Sequence, residues 1–558
     1  MSAMRGSLAI IAVYFVVLCF THKNAALTDD DDFYIPAGIS YVAWLGKAVS
    51  FTPEAYKKKT IDTAFKINRE HPPFAKYVFG ISHFALRGLL GPSDSARAGS
   101  ILFSTLIVGL FCFLAIFHFG TSAGLRIAAG SSLMLLALPR FNLHSHVATL
   151  DVPVAAMYLF AATMVLYAER SRKAALWSGP VFGLATATKL NAPFLLLAYI
   201  PFVVITRIAG RKIVQSTLSN SGVSSAAPSG LRLIPFPAAL VSMATLGPLV
   251  FFAIWPWMWT DTVARVKEYI AFHANHYGIH FLYFGQVHTD APYAPWHAPF
   301  VMAASTIPLV TSALAVFAVI RTGPRIWAHL KNFTKTDDVE RRQSDLVLFL
   351  ILNAISTICL VAFAGTPIYG GEKLFMPFFP FWCLLAGIGV NYLHEEIHSF
   401  VKMTSLRLVL GLLLCSSGFL YQWKYSGYEL SQYNALVGGV RGATALGFER
   451  QYYDLAHRDL VKWLSQNGPK NLKVHFLPNN WEYVRTYKWY RRGGDLRSDI
   501  VVVNNERAAD WVVITHERRF ARYSNDLSRY RKHRIMFEKR IDSTPIWTIF
   551  NRNPIVNP

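Results

Sequence analysis

The chain has few charged side chains, and acidic ones are the scarcer kind. Asp, Glu, Lys and Arg make up only 16% of its 558 residues, and 55 Lys and Arg outnumber 33 Asp and Glu. Hydrophobic residues make up 53% of the chain, and its mean hydropathy is +0.30. A soluble protein of this length is less apolar than this. The composition therefore excludes the soluble class and indicates an integral membrane protein.

Cysteine is also scarce, with five residues in the whole chain. Each of them falls inside an apolar run, and no pair has the spacing of a zinc site or of a disulfide framework. We expect them to be packing residues. The cysteines are Cys19, Cys112, Cys359, Cys383 and Cys415.

The net charge of +22 does not indicate nucleic acid, because no RNA- or DNA-binding motif is present. Much of the positive excess lies in short segments between apolar runs, which favours contact with anionic membrane lipid. Loops on one side carry clusters such as Arg170, Arg172 and Lys173, whereas the opposite short loops contain little beyond Arg140, Lys189 and Lys373. Positive loops face the cytoplasm. This alternation predicts a cytoplasmic N-terminus.

Apolar runs predict about eleven membrane-spanning helices, because a span needs roughly 20 apolar residues. The fifth and sixth runs are short, and residues 189–193 interrupt them. The predicted spans are 6–22, 98–119, 125–140, 150–168, 175–189, 192–207, 232–255, 298–320, 346–364, 374–392 and 406–423.

The long apolar runs stop near residue 424, which divides the chain into a membrane domain, 1–423, and a second domain, 424–558. Segments 472–477, 500–503 and 511–514 read as buried strands, and helical patterns lie near 452–466 and 481–491. We expect a small α/β domain on the outer side of the membrane, acting as a structural cap or guiding the acceptor. The long first outer loop, about 23–97, lies on the same side.

Four consecutive aspartates, Asp29 to Asp32, follow the first span. Membrane interfaces usually carry Trp, Tyr, Lys or Arg, so an acidic run is unusual there. Adjacent carboxylates repel one another and raise one another's pKa, which suits a group that takes up a proton. The alternative interpretation is a solvated polar turn.

Other outward segments add polar residues to this side. His71 and Lys76 flank a stiff Pro-Pro pair, and Arg97 lies at the mouth of the second span. Asp151 begins an apolar helix, where a carboxylate is costly and tends to be functional; a helix N-cap is the alternative role.

Several of these motifs resemble the protein O-mannosyltransferase and aminoarabinose transferase superfamily. They are Asp-Asp-Phe-Tyr after the first span, His-Pro-Pro-Phe-Ala-Lys at 71–76, Arg97 followed by Ala-Gly-Ser, and His-Ser-His with Asp151 five residues on. Segments 183–192, 371–380 and 433–443 resemble the same superfamily. The resemblance covers about residues 1–450. The family commonly has Asp-Glu at the first motif, so the all-Asp run leaves the position of the base open by one residue.

The resemblance implies a polytopic α-helical membrane protein of the GT-C fold, which transfers a sugar from a polyprenyl-phosphate carrier to an acceptor hydroxyl. It leaves the sugar and the acceptor open. This chemistry needs a carboxylate base, cations for the phosphate and an apolar groove for the lipid tail. The candidate base is Asp30 or Asp31, with Asp151 in support. The candidate phosphate ligands are Arg97, Lys76, Lys189 and Lys373, although snorkelling is the alternative role of the last two.

The histidines and aromatic residues of the outer loops are candidates for substrate binding, since sugars stack on aromatic faces. An interfacial aromatic belt is the alternative. The candidates are His71, His144, His146, Trp257, His273, His276 and Tyr277. His273 and His276 lie at i, i+3, but no carboxylate has the spacing of a metal motif, so the sequence indicates neither a divalent metal nor another cofactor.

Two other classes of function compete with this one. A transporter of a lipid or an anionic solute also has charges within broken helices, but no inverted repeat is evident and the polar groups gather on one face. A non-catalytic scaffold would differ only in having lost function. The outer domain has no Asn-x-Ser/Thr sequon, which favours a bacterial inner membrane with the active site facing the periplasm.

Overall fold

The structure is a computed structural model that describes residues 2–206, 237–275, 278–290, 293–331, 338–363, 366, 368–400 and 403–554. Helices dominate up to residue 424, and strands appear mainly after it. In chain order the helices are α1 (Ser2–Thr21), α2 (Asp29–Val49), α3 (Lys58–Ala64), α4 (Phe74–Leu90), α5 (Asp94–Leu136), α6 (Pro139–His144), α7 (Asp151–Ala168), α8 (Arg172–Thr186), α9 (Ala192–Thr206), α10 (Ala238–Ala253), α11 (Thr262–Ala274), α12 (Ala298–Thr306), α13 (Leu309–Lys331), α14 (Asp338–Val361), α15 (Phe378–Phe400), α16 (Thr404–Lys424), α17 (Gly439–Ala445), α18 (Arg458–Asn467), α19 (Trp481–Gly493) and α20 (Tyr523–Tyr530).

Five of the described helices are long and apolar enough to cross a membrane, and α9 and α10 are shorter apolar helices. The protein is therefore a multi-pass membrane protein. The five segments are Ser2–Asn24, Asp94–Leu136, Asp151–Ala168, Leu309–Leu330 and Asp338–Val361. The number of eleven spans stays a prediction.

Two places in the helices can be compared with the predicted runs. The runs near 98–119 and 125–140 correspond to the two parts of α5, which a kink at Gly120 separates; its φ of 75° is a conformation that glycine adopts without steric cost. The run near 298–320 is divided into α12 and α13. Ile307 between them is extended (ψ 133°) because Pro308 follows, and proline disfavours the helical conformation of the preceding residue.

The acidic run forms the first turn of α2. Thr28 caps this helix: its hydroxyl accepts a hydrogen bond from Asp31 N, and the Asp31 carboxylate accepts one from Thr28 N. Such a capping box satisfies backbone groups that the helix leaves free, and carboxylates near a helix N-terminus complement its dipole. The run is therefore an ordered helix start and not a solvated turn.

Helices α2 and α4 pack closely through two glycines. A Cβ on Gly80 would lie 2.2 Å from Gly38 O, and a Cβ on Gly38 would lie 2.5 Å from Lys76 O. Both distances are shorter than real Cβ contacts, so this crossing requires glycine. It fixes the acidic turn of α2 relative to the segment that contains His71.

Residues 473–554 contain a five-stranded sheet with the order β6-β5-β7-β9-β8. The first three strands pair in parallel, while β9 pairs antiparallel with both β7 and β8. The strands predicted at 472–477, 500–503 and 511–514 are present, but the helix expected from 452 begins at Arg458. The strands are β5 (Lys473–Leu477), β6 (Val501–Val502), β7 (Trp511–Thr515), β8 (His533–Ile541) and β9 (Thr544–Pro554).

The strand-rich segment is joined to the helices. One apolar core runs from α1 into this sheet, and β1 (Leu27–Thr28) pairs antiparallel with β4 (Leu455–Ala456). A hairpin, β2 (Phe281–Tyr283) and β3 (Gln286–His288), lies between α11 and α12. The β1–β4 pair lies immediately before the acidic turn of α2, so residues after 424 reach the region of the predicted site.

Candidate active site

Asp30 faces a lysine that is distant in sequence. Lys373 Nζ lies 2.6 Å from Asp30 Oδ2 and 3.1 Å from the Tyr453 hydroxyl, and it stands 4.3 Å from the centre of that ring. Burial opposes the charge of Lys373, but Asp30 and Asp151 outweigh it and raise the lysine pKa. Lys373 is therefore a cation in a pocket that retains access to solvent, since 13% of its side chain and 18% of that of Asp30 are exposed.

The loop that presents Lys373 has an unusual backbone. Gly370 and Gly371 both have positive φ, 63° and 66°, which other residues rarely adopt. Glu372, next in the chain, accepts a hydrogen bond from Arg140 Nη1 at 2.8 Å, and both side chains are buried. The ion pair anchors the loop beside α6, so the lysine that follows projects towards Asp30.

Asp151, the first residue of α7, is fully buried and has a second lysine beside it. Lys189 Nζ donates to Asp151 Oδ1 at 2.7 Å, and His144 Nδ1 lies 3.4 Å from Oδ2. Leu150 and not Asp151 occupies the N-cap position. The carboxylate therefore does not cap its helix, and it holds Lys189 in place.

Two hydrogen bonds connect the loops that meet here. Asn191 Nδ2 donates to Leu374 O at 3.1 Å, which joins the Lys189 segment to the Lys373 segment. Phe74 N donates to Ala187 O at 2.9 Å, which joins the same segment to the Pro-Pro turn. Four segments of different parts of the chain thus meet at one pocket.

His71 lies at the edge of this pocket. Its ring packs against Phe272 and His273, both with centroids 5.7 Å away, and against Tyr34 at 6.1 Å. Its Nδ1 accepts or donates no hydrogen bond among the described residues. Burial, and then Lys76, His273, Lys189 and Lys373, lower the pKa of His71 well below its usual value. Burial therefore favours the neutral ring, and its Nδ1 stays without a hydrogen-bond partner among the described residues.

Both carboxylate oxygens of Asp31, the other candidate base, accept hydrogen bonds from the protein. Its Oδ2 accepts from Thr28 N and Oγ1, and its Oδ1 accepts from Ala148 N at 2.7 Å. The residue is fully buried, and burial raises its pKa despite the nearby Arg97 guanidinium. A carboxylate enclosed in this way joins the helix start to the His144–Asp151 segment and does not face a substrate.

Arg97 and Lys76 are also enclosed. Arg97 Nη1 donates to Asp94 Oδ1 at 3.0 Å, and Nη2 donates to Ala25 O and Ala26 O at 3.2 and 2.9 Å. Lys76 Nζ donates to Asn68 O and His71 O, and burial lowers its pKa to about 7. Neither side chain is exposed. Their contacts stabilise loops, and the phosphate contact predicted for them stays a prediction.

We expect Arg97→Ala to act on stability. Removing one partner of a buried ion pair costs about 3–5 kcal/mol, because the remaining charge is left uncompensated. The melting temperature of the purified protein should fall, while the folded fraction should bind a lipid phosphate with parental affinity. Arg87→Ala, at an exposed position of α4, is the matched control. Normal stability with weak lipid-phosphate binding would instead return the phosphate contact to Arg97.

The other predicted substrate residues have mixed positions. His144 stacks with the Tyr453 ring at 6.2 Å, inside the pocket. His146 is buried and held by Asn142 O at 2.6 Å and Leu18 O at 3.0 Å. Trp257 is buried between Trp255 and Arg265. The two indole centroids are 5.7 Å apart, and Arg265 Cζ lies 5.2 Å from the Trp257 ring centroid.

His273 contacts His71 as described, whereas His276 and Tyr277 lie outside the described residues. Among the described residues, no group of three or more His, Cys, Asp or Glu is placed to hold a metal ion. The polar groups of the pocket are the carboxylates of Asp30 and Asp151, two lysines, the histidines His71 and His144, and the Tyr453 hydroxyl.

Sequence reasoning missed the residues that come from beyond position 424. Tyr453 contacts Lys373, and Arg485 in α19 pairs with Asp29 and with Asp32, whose Oδ2 lies 2.9 Å from Arg485 Nε. Trp489 Nε1 donates to Asp32 Oδ1 at 2.8 Å. The run Tyr452-Tyr453-Asp454 is polar and aromatic, but nothing local to it indicated contact with the acidic turn.

A family of membrane glycosyltransferases matches part of the chain. Residues 70–226 match the model of the dolichyl-phosphate-mannose-protein mannosyltransferase family. This match confirms the resemblance to the GT-C superfamily of polyprenyl-phosphate-dependent glycosyltransferases that the motifs predicted. The matched residues include His71, Lys76, Arg97, Asp151 and Lys189.

Comparison with solved structures adds distant similarities. ArnT from Cupriavidus metallidurans bound to undecaprenyl phosphate has 14% identity, a TM-score of 0.47 and 97% coverage of both chains. Its apo form has 15% identity, a TM-score of 0.48 and 98% coverage of both chains. The Archaeoglobus fulgidus oligosaccharyltransferase has 13% identity and a TM-score of 0.35, over 80% of this chain and 59% of that one. No curated protein sequence matches the chain.

Proposed function

We propose that this protein is an integral-membrane glycosyltransferase that transfers one sugar from a polyprenyl-phosphate carrier to an acceptor hydroxyl. The single observation that carries the proposal is the pocket in which Asp30, Asp151, Lys189 and Lys373 meet at the ends of apolar helices. It contains the base and the cations that this reaction needs, and it lies where a membrane-bound carrier can reach it.

Lys373 and Lys189 are the proposed ligands of the donor phosphate. Both are partly exposed and both are held by carboxylates, at 2.6 and 2.7 Å, whereas Arg97 and Lys76 are enclosed. A phosphate that approaches Lys373 competes with Asp30 for the ammonium group. Donor binding therefore loosens the Asp30–Lys373 contact and leaves the carboxylate free to act.

Asp30 is the proposed general base. It accepts the proton of the acceptor hydroxyl while the acceptor oxygen bonds to the anomeric carbon from the face opposite the carrier. The bond from that carbon to the phosphate oxygen breaks, and its electron pair leaves with the lipid phosphate. The lysines stabilise this anion as its charge grows. The transfer inverts the configuration of the sugar.

An apolar cavity of about 420 Å³ between α12, α13, α14 and α15 suits the lipid tail. Its wall includes Phe378 and Trp382 of α15, the helix that follows Lys373 by five residues. A prenyl chain is itself apolar, and cavities that bind such ligands are lined mainly by hydrophobic and aromatic side chains. The cavity supports a lipid-linked donor over a soluble nucleotide-sugar.

The proposed side of the membrane and the proposed carrier rest on the sequence. The loop charges favour a pocket on the outer face of the membrane, and the absence of a sequon after residue 424 favours a bacterial inner membrane and hence an undecaprenyl carrier. The His71 ring, with one nitrogen not engaged, is the proposed contact for the sugar or the acceptor. The segment after residue 424 is proposed as an α/β domain that shares an apolar core with the membrane helices. A transporter of an anionic lipid is the alternative, since its site would also need cations.

The test is turnover by the purified protein in lipid nanodiscs. Labelled sugars on undecaprenyl phosphate and on dolichyl phosphate are each incubated with cell-envelope extract, with nucleotide-sugars as the comparison. We expect transfer of label from a lipid phosphate, faster with long prenyl chains than with short ones. Label transfer from a nucleotide-sugar alone would reject the mechanism. In sealed proteoliposomes, movement of the lipid from one leaflet to the other without transfer would establish the transporter alternative.

A further inference from the structure

Three of the four aspartates in the acidic run lie close to the proposed phosphate site, which creates an electrostatic problem. Asp29, Asp30 and Asp32 are partly buried, with side-chain exposures of 18%, 18% and 22%. Of these three carboxylates, only Asp30 forms an ion pair with Lys373. Like charges in a partly desolvated pocket interact more strongly than in water, so two further carboxylates would repel an anionic donor.

Arg485 forms an ion pair with each of the other two carboxylates. Its guanidinium pairs with Asp29 through Nη2 and with Asp32 through Nε, the latter at 2.9 Å. The planar group is enclosed between the rings of Trp481 and Phe33, whose centres are 3.7 and 4.2 Å from its central carbon. Arginine suits this place, because its fork contacts two carboxylates while its faces stack on aromatic rings.

Arg485 belongs to α19, so it comes from the segment after residue 424 and not from the membrane helices. The same helix holds the start of α2 through Trp489, and Tyr490 accepts a hydrogen bond from Leu27 N at 3.0 Å. The contact therefore depends on how the C-terminal segment packs on the acidic turn.

We propose that Arg485 is an electrostatic positioning residue of the reaction centre: it pairs with Asp29 and Asp32 and offsets one of their two negative charges, leaves Asp30 as the carboxylate that faces Lys373, and thereby admits an anionic lipid phosphate. This inference rests on the proposed function. It gives the C-terminal segment a part in the reaction that a structural cap lacks.

The test is a charge-removal cycle. Binding of undecaprenyl phosphate to nanodisc-embedded protein is measured for the parent, Arg485→Ala, Asp29→Asn/Asp32→Asn and the triple variant. We expect Arg485→Ala to weaken binding by about tenfold or more, because one uncompensated charge in such a pocket is worth at least one factor of ten. The triple variant should recover at least the parental affinity, because its cluster carries no formal charge, against −1 in the parent and −2 in Arg485→Ala.

Rescue separates the electrostatic role from simple anchoring. If Arg485 only anchors α19, removing its two partners cannot restore binding, and a folded triple variant that remains weak overturns the proposal. Unchanged binding by Arg485→Ala overturns it as well. Lys488→Ala, one turn along α19 at an exposed position, is the matched control and should bind normally.

If Arg485→Ala does not fold, Arg485→Lys is the second test. Lysine keeps the positive charge but lacks the planar guanidinium that contacts two carboxylates. Affinity near that of the parent supports charge compensation, and a tenfold loss overturns it. The parent is the reference for the proposed function itself. A parent that binds no lipid phosphate refutes that function, whereas a parent that binds, with variants that do not differ from it, refutes the inference alone.

Discussion

Asp30→Asn is expected to slow sugar transfer by about 10²–10⁴-fold, which is the usual contribution of general-base catalysis. The amide cannot take the proton of the acceptor hydroxyl, although it has nearly the same size. Donor affinity should stay within a few-fold or rise, because the lysine that Asp30 holds at 2.6 Å becomes free for phosphate. Single-turnover rates and lipid-phosphate binding, measured on the same preparation, separate the two effects.

Two variants serve as controls for Asp30→Asn. Glu54→Gln removes an exposed carboxylate of the same outer loop, 64% exposed in its pair with Lys57, and should keep the parental rate. Asp31→Asn should lower the melting temperature, because the Asp31 carboxylate accepts hydrogen bonds from Thr28 and Ala148. If Asp30→Asn transfers sugar within a few-fold of the parent, the base lies elsewhere and Asp151 becomes the leading candidate.

Lys373→Ala is expected to weaken donor binding by roughly 10- to 100-fold, since a hydrogen bond to a charged group is worth about 1.5–3 kcal/mol. The transfer step should slow as well, because the leaving phosphate loses a cation where its charge develops. Lys373→Arg should retain part of the affinity. Equilibrium binding of undecaprenyl phosphate and single-turnover transfer are the measurements.

The comparison for Lys373→Ala is Lys57→Ala, which removes an exposed lysine between α2 and α3 and should bind lipid phosphate normally. Lys189→Ala should weaken binding too, and it should also release Asp151 from its 2.7 Å contact. Normal donor affinity in both Lys373→Ala and Lys189→Ala would show that neither lysine holds the phosphate, and the proposed donor site would have to be abandoned.

Much of the membrane architecture could be predicted from local patterns. Apolar runs mark α1, α7 and α16 within a few residues, because hydropathy is a property of short segments. The break between α12 and α13 could also have been read from Pro308. The kink of α5 at Gly120 lies in the gap between the runs predicted near 98–119 and 125–140.

The candidate site could be predicted only as a set of residues. The sequence placed Asp30, Asp151, Lys189 and Lys373 on one side of the membrane, and these meet in the pocket. It also proposed Arg97 and Lys76, which are enclosed by backbone carbonyls and by Asp94. A basic residue near a membrane face looks the same in the sequence whether it binds a phosphate or is enclosed by the protein. Packing decides which of the two occurs, because packing decides burial.

The sequence by itself determined the class of protein, the positions of its apolar helices and the motifs that resemble the GT-C glycosyltransferases, since each of these is encoded within a short stretch. Only the tertiary structure decided which aspartate of the run faces a cation. It also brought Tyr453 and Arg485 to residues more than 400 positions away. Contacts of this kind arise from helix packing and strand pairing between distant segments, and no local pattern records which segments will meet.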